Sequence, residues 1–232
     1  MNMVSLDGLE EKIGYRFQDK SLLRQALTHS SYSNEQKIRK WKHYERVEFL
    51  GDAVLELVSS DYFYHAYPEE SEGNLTKMRA AAVCEQALAI TGRELDLGSY
   101  MAFGKGEEQQ GGRERESIIA DAVEALIGAL YLDGGLSEAK KFIDRFVLND
   151  LDNKRLFYDA KSVLQEMLQE EKAGELTYRQ VREDGPEHDK VFVMEALLNG
   201  EPIGVGEGKS KKTAQQQAAY DALLKRRGGR EE

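Results

Sequence analysis

The first chemical signal in this sequence comes from its carboxylates. In ERVEFLGDAVLEL, Glu45 to Leu57, the acids Glu45, Glu48, Asp52 and Glu56 recur at intervals of three and four. On a helix at about 100° per residue they fall within about an 80° sector, a single stripe. Like charges at that spacing repel by roughly 0.2–0.5 kcal/mol per pair. The neighbours Val47, Phe49, Leu50, Ala53, Val54, Leu55 and Leu57 are apolar, so burial on several faces is expected. A solvated acidic face is the alternative. Apolar surroundings weigh against it, because they desolvate carboxylates, and unpaired buried carboxylates are costly enough to call for a cation. A second stretch, SIIADAVEALIGALYL, Ser117 to Leu132, carries only two charges, Asp121 and Glu124, three apart on one face. Ion pairing with Arg or Lys of another helix is the alternative here. If the two helices pack face to face, four carboxylates converge: Glu48, Asp52, Asp121 and Glu124. Hard oxygen ligands with no His or Cys beside them suit Mg²⁺ or Mn²⁺ rather than zinc. Such a cluster is the usual equipment for phosphodiester hydrolysis.

These stripes need a scaffold. From about Leu6 to Leu148 the apolar positions recur with a helical period. Asp19 is a candidate N-cap for the run Leu22, Leu23, Ala26, Leu27. Residues 45–65 read as one long helix, Ser71 to Gly73 interrupts, and Leu75 to Leu95 reads as another. Glu72 would then lie in a break between helices. Gly104 to Gly112 is polar and glycine-rich, the composition of a mobile loop. The apolar helix from Ser117 stops at Asp133, Gly134 and Gly135, and Ser137 to Leu148 follows as an amphipathic helix.

After Leu151 the character changes. Residues 152–158 read as a linker between an all-α domain, 1–151, and a small α+β domain, 159–228. Asp159 can cap a helix with the stripe Val163, Leu164, Met167, Leu168. Three strands follow, around Thr177–Arg182, Val191–Ala196 and, more weakly, Glu201–Gly206. Ala214 to Leu224 is a last helix, giving the order αβββα. Lys209, Lys211 and Lys212 stand directly before that helix, whose N-terminal N–H groups and partial positive charge favour phosphate. A merely soluble lysine-rich loop is the alternative.

The formal charge of −10 argues against a generic polyanion binder. The acidity is spread over both parts: residues 159–232 hold 12 basic and 15 acidic residues, net −3, and residues 1–158 hold 20 and 27, net −7. Local pattern must therefore carry any contact with nucleic acid. From Gly208 to Arg230 there are seven basic residues and one acid, Asp221. No run approaches the roughly 18 apolar residues of a membrane span. Met1 to Lys20 lacks the apolar region of a secretory signal. The single cysteine, Cys84, cannot form an internal disulfide, which fits a cytoplasmic protein.

ERVEFLGDAVLEL resembles the signature stretch of the ribonuclease III family. The Asp121–Glu124 helix and ALTHSSYSNE, Ala26 to Glu35, resemble that family's later acidic helix and N-terminal region. The C-terminal part, with GEGKSKKTAQQQAA at Gly206 to Ala219, resembles a double-stranded-RNA-binding domain. The resemblance implies metal ligation by Glu48, Asp52, Asp121 and Glu124, with Asp52 and Glu124 central to catalysis. Two further family acids fall on Glu45, expected to serve structure or the subunit interface, and Glu72, expected to reach metal-bound water. It implies Mg²⁺-dependent hydrolysis of double-stranded RNA, with Mn²⁺ able to substitute, leaving 5′-phosphate and 3′-hydroxyl ends. It also implies a homodimer through the catalytic domain, roles in rRNA precursor and mRNA processing, and no membrane partner. RNA-contacting positions fall on Ser162, Gln165, Glu166, His188, Lys209, Ser210, Lys211 and Lys212. Asp184, Glu187 and Asp189 bring negative charge to the same approach, so modest affinity with strong salt dependence is expected. Two other functions fit the sequence less well. A non-catalytic duplex-binding protein would have lost a metal-site acid, and none is lost. A phosphohydrolase of small nucleotides would have no use for the second domain.

Overall fold

The computed structural model describes residues 5–36, 42–149, 151, 159–185 and 190–228. The chain divides into two units, Met1–Leu151 and Asp152–Glu232. In the first, α1 (Asp7–Ile13) is followed by α2 (Lys20–Ala26), which is capped by Asp19, whose carboxylate accepts from the Ser21 backbone N–H at 2.8 Å. That is the capping bond expected from sequence. Helix α3 (Ser30–Glu35) leads to the long α4 (Glu45–Ala66).

Leu75 to Leu95 is not one helix. It divides into α5 (Glu72–Ala82) and α6 (Glu85–Glu94), parted at Val83 and at Cys84, whose backbone is extended. The two halves serve different partners: α5 lies against α4, while α6 turns to bury Ala87, Leu88 and Ala89 in the core. Glu72 is therefore in the first turn of α5, behind the Ser71 cap, and not in a break. After α7 (Leu97–Tyr100), the glycine-rich stretch is more ordered than its composition suggests. It holds α8 (Lys105–Gln109) and a 3₁₀ turn at Gly112–Glu114. Arg113 fastens it, donating to the Glu108 carboxylate and to the carbonyls of Gly98 and Met101.

Helix α9 (Glu116–Phe142) is the axis of the unit. From Ile118 to Leu130 every residue is buried except Asp121 and Glu124, which are half-buried. At Gly135 (φ 77°) the helical backbone is interrupted, where the sequence placed a stop. Helix α4 is less enclosed than its composition suggests. Val47, Val54, Leu55 and Val58 enter the core, but Phe49 is 78% and Leu57 57% exposed. Among the described residues, that part of the apolar helix is left uncovered.

The second unit runs α10 (Ala160–Glu170), β1 (Leu176–Asp184), β2 (Val191–Leu198), β3 (Glu201–Gly208) and α11 (Lys211–Gly228). The sheet is antiparallel in the order β1-β2-β3. Asn199 (φ 51°) and Gly200 (φ 87°) make the two-residue turn between β2 and β3, the Asn-Gly pair that such a hairpin favours. Asp159 holds the residue before α10, but its side chain makes no capping bond. The positions expected to form the linker, 152–158, lie outside the described residues. No helix among the described residues is long and apolar enough to cross a membrane.

Candidate metal centre and nucleic-acid interface

Two glycines allow the acidic stripes to meet. Gly51 of α4 and Gly128 of α9 face one another where the helices cross. A Cβ on Gly51 would stand 1.8 Å from the Glu124 carbonyl oxygen, and one on Gly128 would stand 2.1 Å from the Val47 carbonyl oxygen. The two backbones are in direct contact, which no residue larger than glycine permits. Gly51 lies next to Asp52 and three residues after Glu48, and Gly128 is one turn after Glu124. The crossing therefore sets the spacing of the acids.

One oxygen each of Glu48, Asp121 and Glu124 lies within 4.8 Å of the others. Burial raises Glu48 to about 7, with Asp121, Glu45 and Asp52 adding repulsion. Burial raises Glu124 to about 8, helped most by Asp52 and then by Glu48 and Asp121. Asp121 is also raised by burial, against a hydrogen bond from the Tyr44 hydroxyl at 3.1 Å that favours its ionised form. Burial likewise keeps that hydroxyl protonated.

The remaining candidate acids occupy different surroundings. Asp52 is exposed and outside the trio, yet close enough to be the strongest charge acting on Glu124. Glu45 is exposed, its carboxylate 3.8 Å from His43 Nδ1. Glu56 pairs with Arg79 of α5 at 2.9 Å. Glu72 is exposed and accepts from the Thr76 hydroxyl at 3.1 Å. Among the described residues no Lys or Arg forms an ion pair with Glu48, Asp52, Asp121 or Glu124. Among the described residues, pairing with a basic residue, the alternative for the second stripe, is not found for Asp121 or Glu124. A set of hard oxygens, three of the four acids half-buried and none ion-paired among the described residues, has the chemistry that suits a divalent cation.

In the second unit, β3 and α11 are also in backbone contact. A Cβ on Gly204, Gly206 or Gly208 would come within 2.3, 2.1 or 2.7 Å of the α11 backbone at Ala214 and Ala218. Ala214, Ala218 and Ala222 are fully buried there. Helix α10 is tied to the same helix: the Lys161 backbone N–H donates to Gln216 at 2.8 Å and its ammonium to Gln215 at 2.6 Å. Ser162, Gln165 and Glu166 are exposed on α10, opposite the buried Ala160, Leu164 and Leu168.

Lys209, Ser210, Lys211 and Lys212 are exposed at the start of α11. Lys211 and Lys212 belong to its first turn rather than preceding it, because Ser210 caps the helix: its hydroxyl accepts from the Thr213 N–H at 3.1 Å. The Lys211 ammonium lies 5.8 Å from the Phe192 ring centre. His188 and the rest of the 186–189 loop lie outside the described residues.

Sequence reasoning passed over Gly51, Gly128 and Tyr44. The glycines left a signal, since a glycine inside a strong helix costs about 1 kcal/mol against alanine and calls for a packing reason. Tyr44 left none, for an aromatic residue ahead of a helix is commonplace.

Comparison with known proteins gives the following. A family profile described as Ribonuclease-III-like matches residues 19–151, and the double-stranded RNA binding motif matches residues 160–226. Ribonuclease 3 of Bacillus cereus is 49% identical over 218 residues, which cover 93% of this chain and 89% of that protein. Ribonuclease 3 of Caldanaerobacter subterraneus is 48% identical over 220 residues, 94% of this chain and 96% of that protein. Among solved structures, the nuclease domain of ribonuclease III from Campylobacter jejuni superimposes with a TM-score of 0.58 at 42% identity, covering 62% of this chain and 96% of that one.

Proposed function

The chain belongs to the ribonuclease III family, and on that premise we propose that it is an endoribonuclease that hydrolyses double-stranded RNA with Mg²⁺ held by Glu48, Asp52, Asp121 and Glu124. The products on this reading carry 5′-phosphate and 3′-hydroxyl ends. The observation that carries it is the approach of Glu48, Asp121 and Glu124 within 4.8 Å, where burial raises all three. Mn²⁺ shares the preference of Mg²⁺ for oxygen and substitutes for it. A bound divalent ion supplies Lewis acidity at the phosphate and a water nucleophile near neutral pH.

The chain's own residues have separable tasks. The four acids supply the charge that holds the ion, and Gly51 and Gly128 set their spacing. Glu72 serves from the first turn of α5, and Glu45 supports structure or the subunit interface. Ser162, Gln165, Glu166, His188 and Lys209 to Lys212 hold the duplex by its shape and phosphates. The catalytic domain takes residues 1–151, a linker 152–158 and the RNA-binding domain 159–228.

The protein works as a homodimer through the catalytic domain. Phe49 and Leu57 form an exposed apolar stripe on α4, and the Campylobacter jejuni nuclease domain is described as having a flexible region involved in dimer formation. A two-fold dimer offers two equivalent acid clusters to the two strands of a duplex. Processing of rRNA precursors and mRNA in the cytoplasm is the setting this reading favours.

The test is incubation of the full chain with long duplex RNA, with Mg²⁺, Mn²⁺ or EDTA, followed by end analysis of the fragments. Fragments with 5′-phosphates that form only with a divalent ion support the proposal. Intact duplex under all three conditions, with binding retained, would make the protein a binder rather than a nuclease. Sedimentation at micromolar concentration checks the assembly: a fully active species at the 26.2 kDa chain mass would remove the dimer.

A further inference from the structure

Tyr44 stands one residue before α4 and is only 4% exposed. A buried phenol normally needs a partner for its hydroxyl. The partner is a carboxylate 77 positions further along the chain: the Tyr44 hydroxyl donates to Oδ2 of Asp121 at 3.1 Å. The ring reaches Asp121 from a firmly built pocket. The Tyr44 backbone N–H donates to the Thr28 carbonyl at 3.0 Å, and its own carbonyl accepts from the N–H groups of Val47 and Glu48 at 2.7 and 2.9 Å. The ring lies against His29, with 5.6 Å between ring centres. His29 is held in turn: its Nδ1 pairs with the Ser31 hydroxyl at 2.8 Å, and that hydroxyl accepts from the Gly104 N–H at 2.9 Å. The hydroxyl is thus aimed by the junction between α2 and α3. Among the described residues no other hydrogen bond reaches the Asp121 side chain, so Oδ2 is held while Oδ1 has no protein donor.

We propose that Tyr44 is a positioning residue for the reaction: by holding Oδ2 it fixes the plane of the Asp121 carboxylate and presets that side chain for the divalent cation shared with Glu48 and Glu124. Tyr44 acts through Asp121 alone and touches neither substrate nor ion. Outer hydrogen bonds of this kind are worth about 10- to 100-fold in metal affinity or activity. The proposal rests on the reading of Glu48, Asp121 and Glu124 as cation ligands.

The experiment is Mn²⁺ binding to the full chain, followed by the paramagnetic resonance signal of the free ion. It compares wild type, Tyr44→Phe, Asp121→Asn and the double variant. Tyr44→Phe is expected to raise the Mn²⁺ Kd about 10-fold or more. The double variant is expected to bind no worse than Asp121→Asn. In duplex cleavage, the Mg²⁺ concentration for half-maximal rate rises in parallel, while duplex binding in EDTA is unchanged. Wild-type Mn²⁺ affinity in Tyr44→Phe overturns the proposal. So does the same relative loss in the Asp121→Asn background, which would mean that the hydroxyl does not act through Asp121. A metal-free chain that fails to fold once the hydroxyl is removed, or melts lower with Mn²⁺ affinity unchanged, assigns Tyr44 to the fold and overturns it too. A wild-type chain that binds no Mn²⁺ fails the cation reading itself, an outcome distinct from equal binding by wild type and Tyr44→Phe.

Discussion

The two units use glycine in the same way and charge in opposite ways. In the first, Gly51 and Gly128 bring α4 and α9 into backbone contact, and the result is a half-buried group of like charges. In the second, Gly204, Gly206 and Gly208 bring β3 against α11, yet the charges at that junction, Lys209, Lys211 and Lys212, stay exposed. On the roles proposed above, the difference has a physical reason. Carboxylates that hold a cation gain from a low dielectric, where the attraction to the ion is least screened. Lysines that meet a phosphate backbone gain from exposure, because the duplex releases its own counterions on contact. Close backbone approach thus concentrates charge in one unit and presents it in the other.

The sharpest way to break this contrast is to remove one charge from the buried group. Glu124→Gln keeps the shape and deletes the anion most strongly raised among the three. Cleavage of long duplex RNA in Mg²⁺ is expected to fall by at least about 100-fold, the upper end of what loss of an outer-shell partner costs. Duplex affinity in EDTA should stay at the wild-type value. Turnover close to wild type would remove Glu124 from the site.

A second comparison changes the glycines and leaves the charges alone. Gly51→Ala must push α4 from α9, because its Cβ would meet backbone at 1.8 Å. Overpacking of this kind costs about 1–3 kcal/mol, and the shift spreads the acids. Gly206→Ala, with a clash at 2.1 Å on the α11 backbone, should cost a similar amount in the other unit. Mn²⁺ titration separates them: Gly51→Ala should bind Mn²⁺ more weakly, and Gly206→Ala should bind it normally while losing duplex affinity. Equal Mn²⁺ binding by both variants would show that the helix crossing does not set the site.

Replacing Lys209, Lys211 and Lys212 by Ala addresses the exposed side of the contrast. If all three contact phosphate, the slope of log affinity against log salt should flatten by up to about 2–3, at roughly 0.7–0.9 per contact. Cleavage at saturating RNA should be little changed. An unchanged slope in a fluorescence titration would show that these lysines do not touch the backbone.

Much of this was legible in the sequence because it lies in patterns local to one element. The 45–65 helix, the stop at Gly135, the αβββα order and the acid stripes all follow from spacing and composition along a few turns. The failures have a common cause in tertiary demand. The division at Cys84 arises because α5 and α6 lie against different helices, which periodicity within 75–95 does not register. Arg113 orders the polar stretch after Gly104 through bonds to residues 5, 12 and 15 positions away. The exposure of Phe49 and Leu57 inverts the usual expectation for an apolar helix, and composition cannot distinguish a face that meets its own core from one left uncovered. At the candidate site, residue types pointed to the acids, but the sequence did not reveal that Asp52 stays exposed while its three neighbours are half-buried.

The smallest expected effect comes from pH, and it asks whether the buried group is held together against its own repulsion. In the metal-free folded chain Glu48 is raised to about 7 and Glu124 to about 8, against 4.5 for an unperturbed glutamate. Between those limits the folded state binds more protons than the unfolded one, so stability falls as pH rises through the window and levels off above it. Both groups are partly solvated, which reduces the effect to a melting shift on the order of a few degrees for a chain of this size. Exposed pairs elsewhere add slopes of their own, so the informative quantity is the melting temperature of wild type minus that of Glu124→Gln, measured in EDTA. That difference should become steadily more negative from pH 5 to pH 8.5, because only the wild type ionises Glu124 there. Mg²⁺ should reverse the trend, since the ion binds the ionised carboxylates and competes with protons for them. A difference that stays flat with pH in EDTA would mean that these carboxylates are solvated like the lysines of the second unit, and the contrast between the two units would fail at its foundation.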